Sequence, residues 1–423
     1  MVLMAVSLSC CSGRDTDAGL PEGGGQWEGG EVGDQTLLVL RILPLDTRAA
    51  DQEPVEKVRT LRVVIVNKGD ETDDEKPGVI ECNRFITLPD IVATGLEYTL
   101  TWPTVPGPKQ IYVFANEESV KDDKAQGLTG ILDGFKENDE PDDFIAWAED
   151  FSFAPQYNEE EDGSIHLPYT SYYDNLDAKP GEVNRMTAYL VPVATKFLFR
   201  FTNELDVPVT ISEISVKKIN ESNYLCAHVE EEDVKKTLYG EGDKEFYWID
   251  WLAKVAELSH DNLGALNQDF NSLYGWISHY KVPDEETGEG RHFFIEEDTK
   301  FDIPQSPSED EKGSAAVGPI YVPESKNLFT YLDDKKVEHT EQRFYLTLKY
   351  SANGKTAPDF VDIPIHNLSA LFRNTFVIIN VNMSGGNIEA YAEIASWNRK
   401  SANGWVTEGS EPDPNPFTPP SNE

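Results

Sequence analysis

Residues 35–67 read QTLLVLRILPLDTRAADQEPVEKVRTLRVVIVN. Two hydrophobic runs rich in β-formers, Gln35–Leu43 and Thr60–Asn67, flank a polar segment that holds Arg48 and Ala49. Aliphatic and β-branched runs bounded by polar, Gly-rich chain read as strands. The first run follows the stretch GLPEGGGQWEGGEVGD (19–34), so polar chain tethers it on both sides. From Leu37 to Leu43 it is apolar on both faces except at Arg41. That pattern fits a strand inserted between two others rather than one at a sheet edge. A strand on accessible linkers can be removed, and its removal would open a groove suited to assembly.

Working outward, the chain stays strand-like. Thr60–Asn67 places Leu61, Val63 and Ile65 on one face. Gly78–Leu88 and Gln110–Ala115 read as further strands, the second after a turn at Pro106-Gly107-Pro108. Residues 116–185 are acidic and rich in turn formers, and read as long loops with a turn or two of helix and a late hairpin. Ser164–Tyr169 and Ala188–Val193 are the candidate strands there. Lys196–Phe201 alternates strictly, with Phe197, Phe199 and Phe201 on one face. The turn at Asn203–Pro208 predicts that this strand pairs with Val209–Ile219. A domain boundary is placed just before Lys196, near Arg185–Tyr189, dividing the folded chain into 49–187 and 188–397.

Residues 245–280 form the helical exception. Trp251, Leu252, Val255 and Leu258 recur at helical spacing. Strands are expected again at His292–Glu296, Pro319–Val322, Gln342–Tyr350 and Phe360–Ile365, with a short helix at Asn367–Phe372. A hairpin, Thr375–Met383 and Ile388–Trp397, closes around Ser384-Gly385-Gly386-Asn387. The Pro- and Ser-rich segment 398–423 reads as a disordered or donor tail. The fold class is therefore all-β, mainly strand with a small helical insertion, in two β-sandwich halves.

The bulk numbers bound the function. A chain of 423 residues with 39% hydrophobic residues supports two substantial cores. A formal charge of −40 leaves no basic stripe for phosphates, so nucleic-acid binding is not expected. Of four cysteines, Cys82 and Cys226 stand alone and read as small buried hydrophobes. Cys10 and Cys11 end the run MVLMAVSLSCC. That short apolar run resembles the signal and lipobox of a bacterial lipoprotein, cleaved at Ser9-Cys10 or Cys10-Cys11 and lipidated on the following cysteine. Residues 12–48 would then hold its polar tether and the removable leader strand.

The search for chemistry returns no catalytic constellation. The seven histidines make no HExxH and no helix-face pair. Gly354-Lys355-Thr356 ends like a phosphate loop, but Lys349 stands where the first glycine belongs. Asn158, Glu160, Asp162 and Gly163 imitate the start of a calcium loop, with Tyr169 in place of its closing Glu. No cofactor or metal is expected. Trp405 and the pair Tyr172-Tyr173 are aromatic groups of the kind that contact sugars, which keeps a non-enzymatic surface glycan binder as an alternative.

Taken in order, these features resemble the fimbrillins of Bacteroidales, the subunits of type V pili. The resemblance rests on the lipobox cysteine, the leader strand, the stretch LPLDTR–AADQEPVEKVRTLRVVIVNKGDE, the central YLVPVATKFLFRF and the closing RNTFVIINVNMSGGNIEAYAEIASW with its Arg373-Asn374 pair. It implies two transthyretin-like Greek-key β-sandwich domains in tandem. It implies a precursor lipid-anchored to the outer membrane and cut between Arg48 and Ala49 by an arginine-specific protease. The leader strand, with Leu37, Leu38, Val39, Leu40, Ile42 and Leu43, would leave. A strand from a neighbouring subunit would replace it in an extracellular fimbrium. The candidate for that strand is the segment with Ile388, Ala390, Tyr391, Ala392, Ile394 and Trp397. Partners implied are other pilus subunits, the protease and an adhesion ligand. A tip or accessory adhesin stands beside a stalk subunit as an alternative.

Overall fold

The structure is a computed structural model. It describes residues 36–44, 54–69, 78–88, 98–121, 127–154, 157, 166–217, 219–220, 222–226, 291–295, 299–306, 312–326, 329–332, 336, 338–341, 344–352, 359–366, 368, 370–371, 373–385 and 387–396. The fold is all-β, two β-sandwich domains in tandem with few helices.

The first domain holds β1 (Leu37–Pro44), β2 (Thr60–Asn67), β3 (Val79–Thr87), β4 (Tyr98–Pro103), β5 (Gly107–Ala115), β6 (Ser152–Phe153), β7 (Tyr169–Ala178) and β8 (Val183–Pro192). Helices α1 (Leu128–Leu132) and α2 (Asp142–Asp150) lie between β5 and β6. Its main strands run in the order β3-β2-β5-β7-β8-β1-β4. The run turns at the β7–β8 step, where only Tyr169↔Pro192 and Thr170↔Val191 pair. Leu38, Leu40 and Ile42 of β1 then share one core with Leu61, Val63 and Ile65 of β2 and Ile111 and Val113 of β5.

The chain continues with β9 (Thr195–Asn203), β10 (Val209–Lys217), β11 (Asn223–Tyr224), β12 (Arg291–Ile295), β13 (Phe301–Ile303), β14 (Gly313–Val322), β15 (Ser325–Lys326), β16 (Phe329–Leu332), β17 (Glu338–Glu341), β18 (Tyr345–Ala352), β19 (Asp359–His366), β20 (Ala370–Leu371), β21 (Thr375–Ser384) and β22 (Asn387–Ser396), which form the second domain except for β11, paired back with β6 of the first. The main order is β12-β10-β18-β19-β22-β21-β9-β14, with β13 also on β10. Here the turn is the β19–β22 step, joined only at Ile365↔Ala390 and His366↔Tyr391. Phe197, Phe199 and Phe201 of β9 meet Ile211 and Ile214 of β10 and Leu346 and Leu348 of β18 in one core.

Several strands fall where the patterning places them. β2 coincides with its expected span, and the β21–β22 hairpin pairs in register from Thr375↔Ser396 to Ser384↔Asn387. Others differ. β9 does not pair with β10: its neighbours are β14 and β21, while β10 pairs with β12, β13 and β18. The turn between them reverses the chain across the sandwich, not along a ladder. The strand expected at Ser164–Tyr169 begins only at Tyr169 and runs on to Ala178. The helix expected at Asn367–Phe372 is replaced, in its described residues, by the short strand β20 paired with β15. β4 was not anticipated. The boundary drawn between 187 and 188 falls inside β8, and Ala188, Leu190, Val193 and Ala194 all belong to the first core. The helical pattern at 245–280 and the tail after 397 lie outside the described residues.

β2 differs in depth rather than span, because all eight of its residues are buried. One face meets the sandwich core. The other carries Arg62, whose Nε and Nη2 donate to Glu117 at 2.7 and 2.8 Å and whose Nη2 also reaches Asp133 at 2.7 Å. Phe144 and Trp147 of α2 pack in the same region as Tyr112 and Phe114 of β5. The described residues within 116–154, expected as long loops with a turn or two of helix, thus meet the sheet's outer face with the carboxylates that pair Arg62 and with an aromatic cluster.

Candidate functional site

The candidate site is the slot that β1 fills. β1 pairs in parallel with β8 over eight positions, from Leu37↔Val183 to Pro44↔Leu190. On its other side it pairs antiparallel with β4 over six positions, from Leu37↔Pro103 to Ile42↔Tyr98. Both faces of the run are at least partly covered: Leu38, Leu40 and Ile42 are buried in the core, while Leu37, Val39 and Arg41 are half-buried on the other side. Burial of three such side chains contributes about 1.5–3 kcal/mol each, before the ladder bonds are counted.

Both ends of β1 are held, by different means. At its start, Leu37 N donates to Glu182 O at 3.0 Å and Thr104 N donates to Thr36 O at 3.0 Å. Gly181 N donates to Thr36 Oγ1 at 2.9 Å. Gly181 sits at φ +68°, a conformation glycine adopts without a Cβ penalty. The Asn184 side chain closes the same turn by accepting from Lys179 N at 2.9 Å. The β7–β8 turn is thus shaped to receive Thr36. At the other end Pro44 has no N–H to extend a ladder. Arg48 and Ala49 lie outside the described residues, as do Cys10, Cys11 and Trp397.

From Pro54 onward the chain is pinned again. Asn116, at φ 55°, accepts from Arg59 N at 2.8 Å and donates to Lys57 O at 2.9 Å and Leu167 O at 2.7 Å. Glu56 is buried. Its carbonyl accepts from the Tyr169 hydroxyl at 2.7 Å, and its Oε1 accepts from Lys196 Nζ at 2.7 Å and the Tyr321 hydroxyl at 2.9 Å. Burial raises the Tyr169 phenol well above its ordinary value, with the Glu56 charge adding to the effect. Lys196 and Tyr321 belong to the second domain. The segment after the polar linker is therefore a fixed part of the domain joint.

A second tie crosses the same joint. Arg373 Nη2 meets Glu324 Oε2 at 2.6 Å, both side chains fully buried, and Arg373 N donates to Glu324 Oε1 at 2.9 Å. The guanidinium also donates to Leu225 O and Tyr224 O at 3.0 and 2.8 Å and reaches Thr170 Oγ1 of β7 at 3.3 Å. Asn374, at φ 59°, donates its N–H to Ala194 O at 2.9 Å. The Arg-Asn pair that opens the last hairpin in the sequence is thus a connector between domains, and its partner Glu324 carried no signal by which sequence alone could find it.

The remaining candidate residues have these places. β22 is paired along its length with β21, with Ala390 and Ala392 fully buried, Ile388 half-buried and Tyr391 exposed. Ile394 holds the backbone position opposite Val377. Tyr172 packs on Tyr112 with ring centroids 4.7 Å apart, and the Tyr173 hydroxyl accepts from Tyr189 N at 2.9 Å. Those two tyrosines serve packing against the first core. Cys82 and Cys226 are both free and buried in the first core. Burial pushes the Cys226 thiol up to about 12 and raises that of Cys82 as well. Among the described residues no group of three or more His, Cys, Asp or Glu side chains is placed to hold a metal ion.

Comparison with known proteins places this geometry beside solved structures only. No family model and no curated protein sequence matches the chain. The chain is similar to the tip fimbrial protein Mfa3 from Porphyromonas gingivalis with C-terminal truncation, at 11% identity and TM-score 0.44, covering 86% of this chain and 100% of that one. It is similar to a fimbrilin from Porphyromonas gingivalis W83 at 10% identity and TM-score 0.43, covering 86% and 98%. A fimbrial assembly protein from Parabacteroides distasonis ATCC 8503 matches at 9% identity and TM-score 0.35, covering 85% and 95%.

Proposed function

We propose that this protein is a structural or adhesive subunit of a cell-surface fimbrium, made as a lipoprotein precursor. In this reading Cys10 or Cys11 carries the lipid that holds the precursor at the outer membrane. An arginine-specific protease cuts after Arg48, and β1 leaves with the lipid. The slot between β4 and β8 then exposes apolar core and unpaired backbone groups, both costly in water. A strand from a neighbouring subunit fills it. A contact of that kind joins unlike surfaces and does not close, so it propagates a polymer.

The observation that carries the proposal is the contrast around β1. It is paired on both sides with its inward face buried, yet it joins the rest of the fold through the polar stretch that contains Arg48. Chain beyond that stretch is pinned at Glu56 and Asn116, so a cut frees β1 without loosening β2. The incoming strand is assigned to the C-terminal region, with β22 as the sequence-derived candidate. β22 would have to give up its ladder with β21 and the burial of Ala390 and Ala392.

Brief trypsin digestion of the purified precursor tests the reading. The expected result is a selective cut after Arg48, followed by a ladder of polymer on a gel, with Arg48→Gln giving neither. Diffuse cutting at Arg41, Arg59 and Arg62 without polymer would count against it.

A further inference from the structure

The geometry points to β4 as a hinged strap, whose one ladder partner among the described residues is whatever strand occupies the slot. The inference deepens the proposed assembly reading and rests on it for its biological meaning, though not for its test. Among the described residues β4 has one ladder partner, β1, and it stands at the end of its sheet. β8 is different, because it keeps its pairing with β7 and its continuation into the buried Val193 and Ala194. A strand with no partner is not stable in water by itself.

The hinge lies just past the end of β4. Glu81 of β3 accepts from the Thr104 hydroxyl and, at 3.3 Å, from Val105 N. The same carboxylate holds the buried Lys109 Nζ of β5 at 2.7 Å. Chain after Pro103 is therefore fixed to the opposite sheet whether β1 is present or not. What else holds β4 down is its inward face: Leu100 is buried, and Tyr98 and Trp102 pack against the first core. Thr99, Thr101 and Pro103 face solvent. Leu100 stands opposite Leu40, so vacating the slot removes the side chain beside it along with all six ladder positions.

The arrangement specifies the partner. It is an extended segment with apolar side chains at alternate positions, matching Leu38, Leu40 and Ile42, and free N–H groups between them. In β1's orientation it runs parallel to β8 and antiparallel to β4. It pairs first with the fixed strand β8, and β4 then closes over it, so the slot is entered from the side and clamped from both.

Amide hydrogen exchange on the intact, uncut chain tests the strap without any appeal to processing. Leu40→Ala weakens β1 in place. The expected result is that exchange at Leu37–Ile42 rises by about tenfold or more, that hydroxyl-radical labelling of the Leu100 and Trp102 side chains of β4 rises in step with it, and that exchange at Thr60–Asn67 is unchanged. Should that variant fail to fold, the unmodified chain in increasing denaturant gives the same comparison, with β1 and β4 opening through one shared step. Faster exchange in β1 with β4 unchanged would overturn the inference. So would β4 opening only together with β2. Failure of the tryptic cut and polymer ladder, by contrast, would remove the assembly reading and leave the coupling of β4 to β1 intact.

Discussion

β1 and β9 hold the same kind of place in their two domains. Each has a parallel neighbour on one side, β8 or β21, and an antiparallel one on the other, β4 or β14. Each sends three alternate apolar side chains inward, Leu38, Leu40 and Ile42 or Phe197, Phe199 and Phe201. Their connections differ. β9 follows β8 after Val193 and Ala194, both buried, and it leads within a few residues into β10. β1 has the Gly-rich stretch before it and the Arg48 stretch after it. The ladder and the core are alike in the two places and do not set the two strands apart. The chain on either side does.

That comparison can be broken or sharpened by substitution. Phe199→Ala is expected to cost about 3–5 kcal/mol in denaturant unfolding, equally before and after cleavage at Arg48. Equal loss is expected for Arg373→Met, about 3–5 kcal/mol, because it leaves the Glu324 carboxylate buried without its guanidinium. A loss below 1 kcal/mol there would mean that the domain joint does not depend on this pair. Leu40→Ala is expected to cost about 2–5 kcal/mol in the precursor. In the cut chain freed of residues 1–48 the same substitution is absent, so its effect vanishes there while that of Phe199→Ala persists. A cut chain that keeps residues 1–48 bound through purification, and with them the Leu40→Ala loss, would erase the distinction between the strands.

A smaller contrast lies in pH dependence. Tyr112, Tyr157 and Tyr169 are buried in the first core, and burial is the leading cause that raises all three phenols. Folded, they stay protonated above the ordinary tyrosine value near 10, whereas the unfolded chain releases those protons there. The folded state then binds more protons than the unfolded state, so stability is complete below about pH 10 and falls above it. The slope is about 1.4 kcal/mol per phenol for each pH unit. Phenolate absorbance followed with circular dichroism checks it: these three are expected to ionise only with loss of the first domain's structure.

Much of this architecture was legible in the sequence, for identifiable reasons. β2, β9 and the β21–β22 hairpin announced themselves through period-two patterning and a Gly-Gly turn. β4 carried the same alternation, Tyr98, Leu100 and Trp102 against Thr99 and Thr101, but is short and bordered by proline and threonine. Pairing was less legible than strand existence. The polar turn at Asn203–Pro208 fixes where the chain reverses, while the partners of β9 are chosen by which sheet each strand joins. Least legible were the ties at the slot and joint. Glu56, Glu81 and Glu324 are three of 76 acidic residues, and only the fold brings each to its cation.

The central claim is that β1 must leave for subunits to join. Val39 and Thr101 stand opposite each other on the outer face of β1 and β4. With Val39→Cys and Thr101→Cys, a disulfide across this antiparallel pair would staple β1 in its slot. After trypsin cleavage at Arg48, the oxidised protein is expected to stay monomeric by light scattering, and to polymerise once a reductant opens the staple. Polymer forming at the same rate with β1 still stapled would contradict the account.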